Sequence, residues 1–336
     1  MKKRMLLLPA VILICAAILS LGLGQFHVSP GEIFRFFSNR LFGIPVMDNE
    51  RMALLQNVLI DIRLPRIAAA ILIGASLSVS GASYQALFIN PLVSPGLLGV
   101  LAGASFGAAF GMVFSSSWFM VQLSTLLFGF LAVIVASGIA RIYHNQSVLI
   151  LVLGGIISGS FFTALLSLIK YIADPYNELP AIVYWLMGSL AFVDTHTIKL
   201  IMLPSIAGII LIVFHGRQLN AISMGEEEAS SLGVNVRRTR LIIIASATLI
   251  SALTVVVGGM IGWVGLIIPH ICRMLFGPDN EILLPASCLV GGIYLLLIDN
   301  ISRLAFSFEI PIGVITALIG IPFFTAVLKN SNRGWR

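Results

Sequence analysis

Long apolar runs separated by short polar connections dominate the chain. A helix needs roughly 20 apolar residues to cross the hydrocarbon core of a bilayer. By that measure the runs at about 5–24, 67–88, 95–114, 118–140, 147–169, 196–214, 240–260, 262–276, 282–300 and 312–329 predict ten spans. The segment at 180–193 reads as a shorter half-helix. The expected fold is an all-α polytopic membrane protein. Residues 1–336 form a single transmembrane domain, and the one substantial polar loop lies at about 217–239.

Composition agrees with the pattern. Hydrophobic residues make up 58% of the 336 and charged residues only 10%. Soluble domains carry about 25% charge, so this chain cannot cover a water-facing surface and lipid must solvate most of it. The net charge of +6 would suit nucleic acid in a soluble protein. Here the basic residues sit in connections, and no basic face with interleaved aromatics exists, which argues against nucleic-acid binding. Cys15, Cys272 and Cys288 lack metal-ligand spacing and read as small hydrophobes. Lys2, Lys3 and Arg4 followed by an apolar run could be a signal peptide, but the run is long for one. A retained first span is the expectation.

An even number of spans puts both termini on one side. Lys2, Lys3, Arg4, Arg141, Arg217, Arg237, Arg238, Arg240, Arg273, Lys329, Arg333 and Arg336 then share that side, which the positive-inside rule makes cytoplasmic. The first outer connection opposes the rule, with Arg35, Arg40, Arg51, Arg63 and Arg66. Two explanations stand: docking of an acidic partner, because arginine pairs bidentately with carboxylates, or contact with lipid headgroups.

Gly99, Gly103, Gly107 and Gly111 form a stripe on the third span. It serves close helix packing, within the subunit or across a dimer seam. Asn90–Pro95 and Gly262–His270 interrupt the hydropathy after the second and seventh spans. Paired interruptions of this kind suggest an inverted repeat.

Catalytic signatures are absent. No lysine follows a glycine, so a Walker A loop cannot form, and there is no H-E-x-x-H or C-x-x-C. The five histidines are scattered. Within the polar loop, Glu226, Ala229 and Gly233 fall on one face of a short helix and leave room for a partner surface. Glu226, Glu227 and Glu228 suit its N-terminus. A helix-turn-helix that a cytoplasmic motor could push, or an ordinary solvated loop, would both read this way. Asp299 and Arg303 are spaced to pair along the ninth span, as a functional site or as a local ion pair fixing the helix end.

Several stretches resemble the FecCD-type permeases, type II ABC importers of iron-siderophores, haem and cobalamin. They are Arg63-Leu64-Pro65-Arg66, the run Gly74 to Ala82 with Gln85, Asn90-Pro91-Leu92-Val93-Ser94-Pro95-Gly96, Gly225-Glu226 to Leu232-Gly233, Val264-Gly265-Leu266-Ile267-Ile268-Pro269-His270, and Glu309 to Phe324. The resemblance implies ten helices per subunit and a second permease subunit, as a homodimer or heterodimer, around a path on the dimer axis. It implies a cytoplasmic ATPase dimer, which binds the ATP and magnesium, so that this chain holds no cofactor and is not itself an enzyme. It also implies an extracytoplasmic binding protein and residence in a bacterial or archaeal plasma membrane. By position, Arg63, Arg66 and Arg303 would dock the binding protein. Gly225, Glu226, Ala229, Leu232 and Gly233 would form the coupling helix. His144, Asn145, Gln146 and Ser147 would belong to the cytoplasmic gate.

A path for a bulky ligand calls for small, weakly polar side chains, which points to Ser158, Ser160, Thr163, Thr316 and Thr325 on the fifth and tenth spans. Bonding across helices is the other use of such residues. The chain departs from the family pattern at Ile89, where arginine is usual, at Trp263, where phenylalanine is usual, and after Asp299. These departures leave the substrate open between a metal chelate and a molybdate or tungstate oxyanion. Two other classes compete. An ion-coupled secondary transporter should carry mid-span carboxylates, whereas the acids here cluster at span ends. A membrane enzyme should show facing His or carboxylate pairs.

Overall fold

A computed structural model describes residues 5–42, 48–115, 117–142 and 148–331. Fifteen α-helices follow in order: α1 Leu7–Gly22, α2 Pro30–Phe42, α3 Asn49–Leu55, α4 Leu64–Leu87, α5 Val100–Phe114, α6 Trp118–Ile142, α7 Val148–Ile172, α8 Glu178–Leu186, α9 Thr195–Phe214, α10 Gly216–Ile222, α11 Glu226–Ser231, α12 Val236–Gly258, α13 Val264–Phe276, α14 Asn280–Leu304 and α15 Ile312–Ser331. A π-helical segment, Gln56–Arg63, runs into α4, and a 3₁₀ turn, Pro95–Leu98, leads into α5. The ten predicted spans correspond to α1, α4, α5, α6, α7, α9, α12, α13, α14 and α15.

Local chemistry sets the helix starts. Asp194, Asn235 and Asp279 each accept an N–H bond from the first turn of α9, α12 and α14. The first outer connection is largely helical. Ser29 and Glu32 bond reciprocally there, Ser29 N–H to Glu32 Oε2 at 2.9 Å and Glu32 N–H to Ser29 Oγ at 3.3 Å. The Ser29 amide, then Arg51, hold the Glu32 carboxyl down at about 2. Val28, Phe36, Leu55 and Leu59 bury a small separate core beneath these helices.

Helix α4 is the axis of the subunit. Nearly all of its residues are buried, enclosed by α9, α12, α13 and α14. Its small residues permit this. A Cβ on Gly74 would lie 2.1 Å from the Gly291 carbonyl oxygen, and one on Gly81 only 1.8 Å from that of Gly265. The backbones of α4, α14 and α13 are therefore in direct contact. The glycine stripe works in the same way inside the subunit. Gly103 and Gly107 face the Phe128 and Ser124 carbonyls of α6, each 2.3 Å from an added Cβ.

Helices α4 and α12 run antiparallel. The start of α4 meets the end of α14 through Arg66 and Asp299, whereas α14 begins beside the α10–α11 pair that contacts the start of α12. Each ends in a break. Ile89 (φ 49°) follows α4 and Trp263 (φ 69°) follows α12, and these are the two non-glycine residues of positive φ among those described. The paired interruptions seen in the hydropathy are thus paired conformational breaks.

Candidate functional site

Three polar features stand out: a buried charge cluster at one end of the bundle, a helix pair at the other, and a groove between them.

The charge cluster lies where α1, α4 and α14 meet. Arg66 donates from Nε to Asp299 Oδ1 at 2.8 Å and spans both oxygens of Glu309 at 2.8 and 2.9 Å. Arg303 Nε lies 3.3 Å from Asp299 Oδ2, an ion pair without hydrogen-bond alignment. The other Arg303 nitrogens donate to the Leu23 carbonyl and to Asn300, which in turn donates to Ser20 at 2.6 Å. Arg63 donates to the Leu21 and Phe26 carbonyls and packs beside Gly24, where any side chain would collide with its guanidinium. Desolvation and the nearby Arg303 charge lower the Arg63 pKa. Three arginines against two carboxylates leave the cluster one positive charge in excess.

This geometry departs from the expectation of arginines offered to a partner. Arg63, Arg66 and Arg303 do converge, but they are 3%, 6% and 7% exposed and their donors are engaged internally. Charged heads left at this depth cost several kcal/mol unless paired, so the chain turns them inward. The Asp299–Arg303 pairing read from the spacing is present. Glu309, the bidentate partner, was missed because it follows α14 by five residues and no period links it to Arg66.

At the opposite end, α10 and α11 form the anticipated helix-turn-helix, with Gly225 (φ 136°) at the turn and Gly233 (φ 80°) closing α11. Its orientation differs from expectation. Ala229 is fully buried against the bundle and Glu226 pairs with Arg240 of α12, so the Glu226–Ala229 face points home. Met224 and Leu232, 68% and 66% exposed, are the apolar side chains presented outward. The pair is anchored to three helices. Asn220 donates to Asp279 at 2.8 Å, Arg217 Nε lies 2.8 Å from Glu281 on α14, and Ser223 Oγ donates to the Ala86 carbonyl of α4 at 3.4 Å.

A groove of about 950 Å³ runs between the 3₁₀ turn, α5 and α7, with Ser94, Ser160, Thr163, Ser167 and Lys170 on its walls. Ser105, also on the wall, has a buried hydroxyl without a hydrogen-bond partner. Two of the five expected path residues, Ser160 and Thr163, lie here. Thr325 is exposed on α15 and donates to its own Ile321 carbonyl. Ser158 and Thr316 are fully buried and donate to the Ala132 and Gly313 carbonyls, so packing claims them and not a path. His144, Asn145, Gln146 and Ser147 lie outside the described residues.

Gln85 sits at the end of α4 between the two broken segments. Arg273 donates to its Oε1 at 3.0 Å, and its Nε2 reaches the Val93 and Gly265 carbonyls at 3.3 and 3.5 Å. One side chain at the end of α4 thus holds both broken segments. Beyond them, Gly99 lies against the Gly159 backbone on the groove wall.

The chain is similar to known proteins in sequence and in fold. The chain is 37% identical to the molybdate import system permease of Haemophilus influenzae over 96% of its own length and 95% of the relative's. It is 32% identical to the vitamin B12 import system permease of Vibrio parahaemolyticus over 98% and 95%. A solved inward-facing structure of a proposed metal-chelate type ABC transporter superposes with a TM-score of 0.85 at 37% identity, covering 98% of this chain and 99% of the other. The FecCD transport family matches residues 12–330, and the chain belongs to that family of multi-pass membrane permeases.

Proposed function

We propose that this chain is the permease subunit of a binding-protein-dependent ABC importer of metal chelates, of the iron-siderophore, haem or cobalamin class, working by ATP-driven alternating access. The observation that carries the reading is the anchored α10–α11 pair with its outward Met224 and Leu232. An isolated solvated loop has no need of two exposed apolar residues in the turns of a helix pair fixed to three other helices. A separate ATPase dimer would seat on them, and both termini would lie on its cytoplasmic side.

The route from this lever to the groove is continuous. Ser223 touches the end of α4, Gln85 of α4 holds the Val93 and Gly265 carbonyls, and Gly99 abuts α7. A push on α10–α11 would therefore tilt the broken segments and the groove wall together. The path would be completed by a second permease subunit across the exposed faces of α7 and α15. At the far end, the one-charge excess of the arginine cluster would steer an acidic binding protein through its field, with the guanidiniums remaining in place.

A second substrate reading, an oxyanion such as molybdate, is favoured by the 37% identity to a molybdate permease along nearly the whole chain. Lys170 would serve it as the cation on the groove wall. The test is reconstitution with the cognate ATPase and binding protein. Leu232→Glu should abolish ATPase assembly while the permease alone stays folded. Normal assembly would remove the lever assignment, and uptake by the lone permease would end the importer reading.

A further inference from the structure

A second cleft, separate from the groove, opens between α6 and α12. It has a volume of about 680 Å³ and no acidic residue on its walls. Phe130, Ile134, Leu241 and Ile244 make it apolar, and Ile134 and Leu241 are 63% and 62% exposed. Arg141, Arg237 and Arg240 gather at its mouth. Arg240 is held by Glu226. Arg141 and Arg237 are exposed and have no carboxylate within ion-pair distance among the described residues.

The cleft has the length of one leaflet. From Arg141 back to Phe130 on α6 is eleven residues, and from Arg237 on to Thr248 on α12 is eleven more. At 1.5 Å per residue each wall is about 16 Å long, and half of a ~30 Å hydrocarbon core is about 15 Å. An apolar slot of that depth, closed at the headgroup level by two free guanidiniums, matches an anionic phospholipid in charge and in length.

We infer that this cleft is a binding site for one anionic phospholipid, its phosphate on Arg141 and Arg237 and an acyl chain along Phe130, Ile134 and Leu241. The leaflet it occupies rests on the orientation proposed above. A lipid seated here touches α12 within one turn of the Glu226–Arg240 tie, so it would brace the helix that the lever pulls.

The probe is dioleoylphosphatidylglycerol against dioleoylphosphatidylcholine, added to the delipidated full-length permease and read by native mass spectrometry. The expected result is retention of phosphatidylglycerol by the wild type. Arg141→Gln with Arg237→Gln should lose about twenty-five-fold in affinity, since each surface guanidinium contributes about five-fold. Ile134→Trp fills the slot without changing charge and should lose the lipid as well, whereas Arg217→Gln, which removes a guanidinium away from the cleft, should retain it. Equal retention of both lipids, equal loss in Arg217→Gln, or displacement by millimolar inorganic phosphate would overturn the site. So would cross-linking of Ala245→Cys to a second copy, which would make the cleft a subunit seam. An inverted orientation would leave the lipid preference intact and fail only in the sidedness of labelling at Arg217→Cys.

Discussion

Neutralising Asp299 tests the charge cluster most directly. Its side chain is wholly inaccessible, it accepts from Arg66 at 2.8 Å, and it lies 3.3 Å from Arg303. Asp299→Asn keeps the volume and removes the charge, and the excess of the cluster rises from one positive charge to two. Removing one partner from a buried pair costs about 3–5 kcal/mol. That is a large share of the roughly 5–15 kcal/mol that holds a typical domain together. Glu309→Gln provides the scale. Its side chain is 31% exposed, so water can replace part of what Arg66 loses, and the cost should be about 1–2 kcal/mol. The assay is unfolding in dodecyl maltoside micelles titrated with dodecyl sulfate, followed by tryptophan fluorescence. Adding Arg303→Met to Asp299→Asn should recover part of the loss, because a charge with no partner leaves with it. If Asp299→Asn unfolds within about 1 kcal/mol of the wild type, or no more readily than Glu309→Gln, the electrostatic account of this end of the bundle is wrong.

Gly81→Ala should sharply reduce the yield of folded permease, since its Cβ would sit 1.8 Å from a backbone oxygen that cannot move without α13; wild-type monodispersity on size exclusion would contradict the close contact. Gly233→Leu meets open space but must hold φ at 80°, at about 1–2 kcal/mol; it should leave the lone permease folded and uncouple ATP hydrolysis from uptake in the assembled importer. Thr163→Val should alter uptake with little change in stability and Ser158→Val the reverse, a contrast that transport and melting assays on the same preparations would reveal. The stabilising pairing of Glu32 is complete above its ordinary value of 4.5 and is lost as pH falls towards about 2; the stability gap between wild type and Glu32→Gln should therefore be constant at pH 6–8 and shrink below pH 4.5.

Spans were legible because lipid imposes a length and a polarity that a hydropathy reading detects directly. The two broken segments were legible through Pro91, Pro95 and Gly262. The outer helices α2 and α3 were not found, although Ser29-Pro30-Gly31-Glu32 carries a cap, a proline at the first helical position and a glutamate at the third; reading by apolar length alone passes over such signals. The direction in which a side chain faces was the harder part. Ala229 suggested a surface for a partner because it is small, yet smallness suits the bundle side equally. Arg66 suggested docking because it belongs to an excess of arginine in the outer connection and by its place in the FecCD-type pattern. Its real partners, Asp299 and Glu309, are 233 and 243 residues away and could be matched to it only in three dimensions.

That separation also bears on how the protein is made. Helix α4 leaves the ribosome with Arg66 at its head, and the carboxylate that neutralises it is synthesised 233 residues later. At 5–20 residues per second that interval is about 12–47 s. For most of it, a helix whose permanent neighbours α12, α13 and α14 have yet to be made must wait beside the translocon or at the headgroup layer. Maturation of this permease is therefore a late event, completed only when the ninth span arrives to close around the second.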